Sequence, residues 1–382
     1  MQNNTTVTQR LRSLDLLRGL DIFLLTVICP IVGVINRGWK LPKGFMDQFH
    51  HPAWVGFSTH DMIMPLFIFM CGAALPLALP KRLEADGTAG RAYWGHVLRR
   101  VGMLWLLGLV AQGEILSFDL HQISFFNNTL QTIACGYLIA AAVALIRARW
   151  IRIAIPFALA ALYTVFLHTC GDMTPEGNAA VVYETKFLLL FYPDATWHPV
   201  KQIADWHYTW WPTIPMFGAM ALAGWHATGV LRSALSARGK FLALVGVGAG
   251  LLALGGILST FDPVVKHIFT ASFTALAMGV SYLLYAAFYA VADLAGWRRG
   301  SFILDLFGRH SLLAYMYSSF FYASTKAFVA VFLCNRGREW TTGVCRALPK
   351  SVFDLIFQLA ISAVFCWVLW QWDLHCRNRR QR

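Results

Sequence analysis

The stretch from His50 to Leu79, HHPAWVGFSTHDMIMPLFIFMCGAALPLAL, decides what kind of fold this chain has. It begins with titratable side chains, among them His51 and Asp61, and continues as a long apolar run. About twenty mostly apolar residues are enough for a helix to cross the hydrocarbon core of a bilayer. Ionisable groups at the head of such a helix are costly unless they are paired or take part in function. The stretch therefore predicts a membrane-spanning helix with a candidate active centre at its start.

The composition of the whole chain indicates the same fold class. Of 382 residues, 57% are hydrophobic and 13% are charged, whereas about a quarter of a typical soluble domain is charged. Apolar segments of helix-spanning length recur along the chain, and the short alternating segments of a β-barrel are absent. We therefore expect an all-α polytopic integral membrane helical bundle, with one transmembrane domain over residues 1–382 and about ten spanning helices. The expected spans cover residues 13–34, 58–79, 97–113, 129–146, 151–169, 213–229, 241–259, 268–293, 311–333 and 351–370.

The charges between these spans predict the orientation of the chain. The net charge is +13, but Lys and Arg lie in short loops rather than in one patch, which argues against a nucleic-acid partner. With both termini in the cytoplasm, roughly 21 Lys and Arg residues fall inside and about 10 outside, in agreement with the positive-inside rule. No cleavable signal peptide is expected, because the first apolar segment is long and lacks a small-residue cleavage site.

The cysteines do not form a recognisable metal site. The chain has eight of them and no CxxC pair, so a zinc site is not predicted. Cys334 and Cys345 fall in one polar loop that we expect on the outer side. A disulfide between them stays open, because spacing alone does not fix the geometry of the bond.

The start of the first helix carries a charged pattern with two interpretations. Asp15 and Arg18 are three residues apart, so they share a helix face and can pair. Charged residues at this position commonly anchor a helix end at the membrane surface. They also suit an anionic ligand, because arginine donates two hydrogen bonds to a phosphate. The pattern consists of Arg10, Ser13, Asp15 and Arg18.

The longest polar segment, residues 170–207, is expected outside the membrane. Loops of this length in compact folds are usually functional or disordered, and the many aromatic residues in and after the segment argue against disorder. Their faces can stack on sugars, although a membrane-interface belt is the commoner reason for such residues. They include Trp197, Trp206 and Trp211.

His51 and the segment from Arg10 to Arg18 are expected at opposite membrane surfaces. A thioester of coenzyme A could connect them, because it carries a charged nucleotide and a long arm that ends in the reactive carbonyl. His51 could act as a general base towards an amine or hydroxyl, or could carry the acyl group itself. Asp61 could orient a histidine or could cap the second helix. His50, His51 and His60 match no familiar metal-ligand spacing.

Several segments together resemble the heparan-α-glucosaminide N-acetyltransferase family of transmembrane acyltransferases, including its bacterial members. They occur in the family's order and cover most of the apolar part of the chain, which is more specific than any single match. The segments are RLRSLDLLRG at 10–19, HPAWVG at 51–56, THDMIMPLFIFMCG at 59–72, LQTIACGY at 130–137, residues 259–272 with Pro263, Lys266 and Ser272, and GRHSLLAY at 308–315.

The resemblance implies acetyl transfer from cytosolic acetyl-CoA, a co-substrate, to an amino sugar or glycan on the far side of the membrane. It implies His51 as the catalytic histidine, with Asp61 as its neighbour, and a CoA-binding surface on the inner half of the bundle. No metal is expected. The expected cofactor-binding residues are Arg10, Ser13, Asp15, Arg18 and Gln131, and the expected substrate-binding residues are Trp54, Trp211, Lys266 and His310.

Three positions depart from the family pattern. Residues 27–30 read VICP where the family carries an asparagine. Thr132 follows Gln131 where the family has an arginine, and His310 stands where the family's GxN segment has its asparagine. An altered acceptor or reduced activity is therefore open. The alternatives are a polytopic transporter of a small solute and an O-acyltransferase for surface polysaccharide. We expect a bacterial inner membrane location, and leave open the acceptor, the acyl chain length, the order of steps and a homodimer.

Overall fold

The structure, a computed structural model, describes residues 11–84, 88–111, 115–192, 196, 209–318 and 350–381. Over these residues the chain is helical, apart from loops and one isolated antiparallel bridge between Val55 and Val265. Seven helices are long and apolar enough to cross a membrane. The fold is therefore that of a multi-pass helical membrane protein, as the composition predicts.

The described helices are joined by connections of different lengths, some of them short helical turns. A π-helical turn, Leu24–Ile28, joins the first two, and single 3₁₀ turns at His60–Met62 and Trp211–Thr213 lead into two later ones. The helices are α1 (Arg12–Phe23), α2 (Cys29–Trp39), α3 (Lys43–Met46), α4 (Ile63–Ala78), α5 (Arg91–Ala111), α6 (Thr129–Val143), α7 (Arg149–Cys170), α8 (Ala179–Leu188), α9 (Ile214–Leu231), α10 (Ala237–Leu258), α11 (Ala271–Phe288), α12 (Phe302–Arg309), α13 (residues 311–318) and α14 (Lys350–Gln381).

Each of the seven candidate spans overlaps an expected one. They are Arg12–Trp39, His60–Ala78, Arg149–Cys170, Trp211–Leu231, Ala237–Leu258, Ala271–Leu294 and Ser351–Arg379. Three further expected spans correspond in part to α5, α6 and α13, and the end of the last one, residues 319–333, lies outside the described residues, as do Cys334 and Cys345. The number of ten spans and the location of the termini stay predictions.

Neutral side chains begin four of the helices. The side-chain oxygens of Asn128, Asn178, Ser236 and Thr270 accept hydrogen bonds from backbone N–H groups in the first turns of α6, α8, α10 and α11. The first turn of a helix has no carbonyl partners for these N–H groups, so each cap compensates for a missing bond. Local sequence therefore sets where these helices begin.

A proline explains the irregularity in the first span. Pro30 has no N–H to donate into the preceding turn, and its ring would clash with the carbonyl there. The helix widens to a π-helical turn directly before it, at Leu24–Ile28, and the Thr26 hydroxyl donates a hydrogen bond to the Ile22 carbonyl at 2.8 Å. Such turns are frequent at functional sites. The departure from the expected asparagine thus coincides with a local change in helix geometry.

The chain divides into two compact units. The first unit consists of Met1–Leu14 and Pro52–Gly296, and the second of Asp15–His51 and Trp297–Arg382, each over its described residues. Inside each unit, two helices approach closely enough for backbone contact at glycine. In the first, Gly72 of α4 lies against the Ala221 carbonyl of α9, and in the second, Gly308 of α12 lies against the Asp15 carbonyl of α1. Small residues at these crossings permit the close packing typical of membrane helices.

Candidate functional site

The connection between α10 and α11 and the first turn of α11 contain a cluster of buried polar residues. They are Asp262, Lys266, His267, Thr270 and Ser272. Burying so many polar groups is costly unless each has a partner. Their partners come from several distant parts of the chain and define the candidate site.

Asp61 and Lys266 form a buried ion pair at the centre of this site. The Lys266 ammonium lies 3.5 Å from Asp61 Oδ1, and their side chains are 10% and 0% exposed. Burial lowers the pKa of Lys266 to about 8, and the negative charge of Asp61 opposes that shift. Asp61 therefore favours the charged form of a lysine that its surroundings would make neutral.

Ser58 fixes the Asp61 carboxylate from the other side. The Ser58 backbone N–H donates to Asp61 Oδ2 at 2.9 Å, and the Ser58 hydroxyl oxygen accepts from the Asp61 N–H at 3.3 Å. These reciprocal bonds form a capping box in which Ser58 is the cap and Asp61 is the third residue after it. The bonds between the Asp61 carboxylate and Ser58 thus run backwards along the chain, and both interpretations of Asp61, as a cap and as a partner of a histidine, stay predictions.

Trp54 packs on the residue after Lys266. Its ring stacks on His267 at 5.7 Å between centroids and 6° between planes, and its indole Nε1 donates to the Met173 carbonyl at 2.8 Å. Two residues further on, the Gly56 N–H donates to the Val264 carbonyl at 2.8 Å. The segments that contain Trp54 and Lys266, both singled out in the sequence, are thus joined through backbone and ring contacts.

A histidine and an aspartate that the sequence analysis did not select hold this connection in place. Asp262 Oδ2 accepts from the Ser272 N–H at 3.0 Å, and Asp262 Oδ1 lies 3.1 Å from His168 Nε2 at the end of α7. The Tyr163 hydroxyl, also on α7, donates to the Ile268 carbonyl at 2.7 Å. Asp262 precedes a proline at the end of an apolar run, and a buried role was not readable from that pattern.

The segment before α9 completes the surroundings of the site. Trp210 Nε1 donates to the His267 carbonyl at 2.6 Å, and the next residue, Trp211, donates its backbone N–H to Glu184 Oε2 at 2.7 Å. Trp211 stacks on Phe126 at 4.7 Å between centroids. Burial raises the pKa of Glu184 to about 8. Glu184 was not selected from the sequence, where an isolated glutamate in an amphipathic segment is unremarkable.

Gln131 organises the backbone before α6. Its Oε1 accepts from the Asn127 N–H at 2.8 Å, and its Nε2 donates to the Phe125 carbonyl at 2.9 Å. Gln131 is 1% exposed. These contacts give the side chain a structural role, and its expected contact with the cofactor stays a prediction.

The second unit contains the charged start of α1 and a cluster around Asp373. Arg18 pairs with Asp15 at 3.5 Å, as their spacing predicts. His310 Nε2 lies 2.9 Å from Asp373 Oδ1, and the expected contact of His310 with substrate stays a prediction. The Asp373 carboxylate also pairs with Arg309 at 3.2 Å and Arg377 at 2.7 Å.

The second unit also contains an open cavity of about 310 Å³ beside the π-helical turn. Its wall is mainly apolar, with Leu25 and Phe365 among the apolar groups, and the residues that contribute polar groups are Thr26, Tyr315, Tyr317, Ser318, Gln358 and Ser362. Gln358 and Ser362 are buried. The volume lies at the lower end of the range for small-molecule sites.

The other expected site residues have simpler surroundings. His51 is exposed and belongs to the second unit, whereas Asp61 belongs to the first, so their expected proximity stays a prediction. The Ser13 hydroxyl is buried without a hydrogen-bond partner in the described structure, and Arg10 lies outside the described residues. Among the residues with described positions, no group of three His, Cys, Asp or Glu could hold a metal ion.

Comparison with known proteins adds one match. Residues 10–150 match a domain of unknown function (DUF5009). This part of the chain includes α1 to α6, with Arg18, His51 and Asp61, but not Lys266. No curated protein matches the sequence. The class of the protein is thus a multi-pass helical membrane protein, and its activity is a matter for proposal.

Proposed function

We propose that the protein is a transmembrane acyltransferase that moves an acetyl group from cytosolic acetyl-CoA to an amino sugar or glycan outside the cytoplasm. One observation carries the proposal: two segments that resemble an acetyltransferase family, around Asp61 and around Lys266, meet at a buried ion pair. Ionisable groups buried at the head of a membrane helix usually serve a function. The proposal includes ten spans, both termini in the cytoplasm and a bacterial inner membrane.

The first unit supplies the groups that bind the acceptor. Trp54 offers an aromatic ring, which stacks on His267 and whose indole N–H is bound to the Met173 carbonyl. Lys266 carries three N–H donors, and the Asp61 carboxylate accepts from the ammonium group and so orients it. Sugars present ring hydroxyls and flat C–H faces, which match an ammonium donor and an aromatic ring. Trp210 is joined to this surface by its hydrogen bond to the His267 carbonyl. Trp211, the next residue, would add a further aromatic ring for the acceptor.

Groups at the start of α1 and in the cavity beside it would bind acetyl-CoA. Arg18 lies two turns before Thr26 on the same continuous helical segment, and Thr26 lines the cavity of about 310 Å³. A rise of about 1.5 Å per residue separates the two by roughly 12 Å. Arg18 would bind a phosphate of the nucleotide, and the cavity, mainly apolar with some polar groups, would take the slim pantetheine arm.

In the reaction, the acceptor nitrogen attacks the thioester carbonyl carbon and forms the new C–N bond. The C–S bond breaks, CoA leaves as the thiol, and the amine proton passes to His51 as general base. The alternative, in which His51 first carries the acetyl group, uses the same residue. An O-acyltransferase would follow the same steps with a hydroxyl acceptor.

The test is acetyl transfer from labelled acetyl-CoA to glucosamine by the detergent-purified protein. His51→Ala should lower the rate at least a hundredfold, whereas His50→Ala, which changes the adjacent histidine, should retain it. Calorimetry should show acetyl-CoA binding that Arg18→Ala weakens and His51→Ala leaves intact. Absence of acetyl-CoA binding by the folded wild type would refute the proposal.

A transporter is the second candidate, because of one residue in α1. Asp21 is 1% exposed, and the described residues provide no hydrogen-bond partner for its Oδ2. A carboxyl group inside a membrane helix commonly marks a proton or solute pathway. If transport is the activity, Asp21→Asn should abolish solute uptake into proteoliposomes while His51→Ala leaves uptake intact.

A further inference from the structure

Glu184 of α8 is a buried carboxyl group outside the seven candidate spans. It is 1% exposed, and Oε2 accepts the Trp211 N–H at 2.7 Å. No other donor and no cation among the described residues is in contact with the carboxyl group. Lys186, two residues further on, instead lies over the Tyr183 ring at 5.0 Å. Glu184 therefore has no compensating charge in the described part of the chain.

Aromatic rings pack on the side chain of Trp211, the residue whose backbone N–H is bound to Glu184. Trp211 stacks on Phe126 at 4.7 Å and contacts Trp105 at 5.8 Å between ring centroids. Phe187, one turn after Glu184 on α8, contacts Trp211 at 5.5 Å. The faces of aromatic rings carry negative potential and attract cations, most strongly where water is excluded. Carboxylate and rings thus favour the same kind of ligand.

A cap alone does not explain the choice of glutamate. Glu184 satisfies the N–H at the start of the turn Trp211–Thr213, and a neutral acceptor would do this equally well. Neutral side chains cap α6, α8 and α10. The carboxylate that accepts an N–H group in the first turn of α11, Asp262, has His168 beside it, whereas Glu184 has no such partner in the described part of the chain. Burial raises the pKa of Glu184 to about 8, which shows that its charged form is disfavoured in the absence of a cation.

The position of Glu184 connects it to the candidate site. Trp211 binds Glu184 through its backbone N–H, and the adjacent Trp210 donates its indole N–H to the carbonyl of His267. His267 follows Lys266 and stacks on Trp54. A ligand bound beside Trp211 would therefore lie next to Trp210, whose side chain contacts the acceptor site at His267.

We propose that the Glu184 carboxyl group and the rings of Trp105, Phe126, Phe187 and Trp211 form a binding subsite for a protonated amine. The ammonium group pairs with Glu184 and lies against the rings, so that it supplies the missing positive charge. The identification of this amine with the sugar acceptor rests on the proposed function. The recognition of an ammonium group is independent of that function.

The test compares glucosamine, which is a cation, with N-acetylglucosamine, which is neutral. Each is titrated calorimetrically into the full-length protein in detergent at pH 6.5, without acetyl-CoA, in two buffers of different ionisation enthalpy. We expect at least tenfold tighter binding of glucosamine. We also expect release of close to one proton for each glucosamine bound, because a carboxyl group with a raised pKa must ionise to pair with the ligand.

Two variants identify the group responsible. Glu184→Gln should retain the bond from the Trp211 N–H but lose both the preference and the proton release. Glu176→Gln, at an exposed glutamate of the same region, should behave as the wild type. Equal binding of the two sugars by the wild type, or an unchanged preference in folded Glu184→Gln, would overturn the proposal.

The outcome is separable from that of the proposed activity. Preference for glucosamine without acetyl transfer would support the amine subsite and count against the acyltransferase. Acetyl transfer with equal binding of both sugars would support the acyltransferase and count against the amine subsite.

Discussion

Asp61 in the first unit and Asp373 in the second are both nearly inaccessible carboxylates with cationic partners, yet their surroundings differ. Asp61 pairs with Lys266, whose side chain is 10% exposed. Asp373 pairs with Arg309, His310 and Arg377, whose side chains are 26%, 15% and 52% exposed. The Asp61–Lys266 pair is thus buried on both sides, whereas the Asp373 cluster is open to solvent on the cationic side.

The difference determines what each pair can contribute. Burying two charges costs a large desolvation free energy, so a buried pair adds little net stability. Removing one partner is strongly destabilising, because the other charge is then buried alone. An exposed pair is screened by water and contributes about 0–1 kcal/mol. The geometry of the Asp61 pair therefore favours a functional role, and that of the Asp373 cluster favours helix anchoring. Four predictions test this contrast, in order of decreasing effect.

Asp61→Asn should have the largest effect. It leaves Lys266 buried without its negative partner, which costs about 3–5 kcal/mol of unfolding free energy, and it should abolish acetyl transfer. The double variant Asp61→Asn with Lys266→Met removes both charges and should regain most of that stability but no activity. Thermal unfolding in detergent and the transfer assay measure both quantities. A double variant as unstable as the single one would show that charge is not the cause.

Gly308→Ala should destabilise the second unit through packing rather than charge. The added methyl group would collide with the Asp15 carbonyl, and overpacking typically costs about 1–3 kcal/mol. Gly33→Ala is the matched control, because no atom lies near the position of its added methyl group. If the two variants melt at the same temperature, the close contact between α1 and α12 does not contribute to the stability of the second unit.

Glu184 should make stability fall as pH rises from about 5 to 8. Its pKa is raised from 4.5 to about 8 in the folded protein, so the folded state binds the proton more tightly across that window. The slope is at most about 1.4 kcal/mol per pH unit. Relative to Glu184→Gln, the wild type should lose stability between pH 6 and pH 8 in chemical or thermal unfolding. A difference that does not change with pH would contradict the raised pKa.

Arg377→Gln should have the smallest effect. Its side chain is 52% exposed, and Asp373 retains Arg309 and His310 as partners. We expect a loss below about 1 kcal/mol that disappears at high salt. The same unfolding measurement at two salt concentrations checks this. A larger loss that persists in salt would make the Asp373 cluster resemble the Asp61 pair and remove the contrast.

The candidate site shows both the reach and the limit of inference from sequence. Trp54, Asp61 and Lys266 were selected from their motifs, and the structure brings these three segments together. Glu184, His168 and Asp262 were not selected, although each has a buried or partly buried hydrogen bond to the same region. They lie in segments with no motif, and their roles follow only from the residues they contact.

The sequence by itself determined the helices, because hydrophobic length, proline and capping residues act over a few neighbouring positions. It placed the start of α6 at Thr129 and that of the last span near Ser351, and it predicted the pairing of Asp15 with Arg18. Only the tertiary structure decided that Lys266 pairs with Asp61 and that Trp211 binds Glu184. Such contacts join residues far apart in the chain, so they depend on how whole helices pack, and residue type alone does not specify the partner.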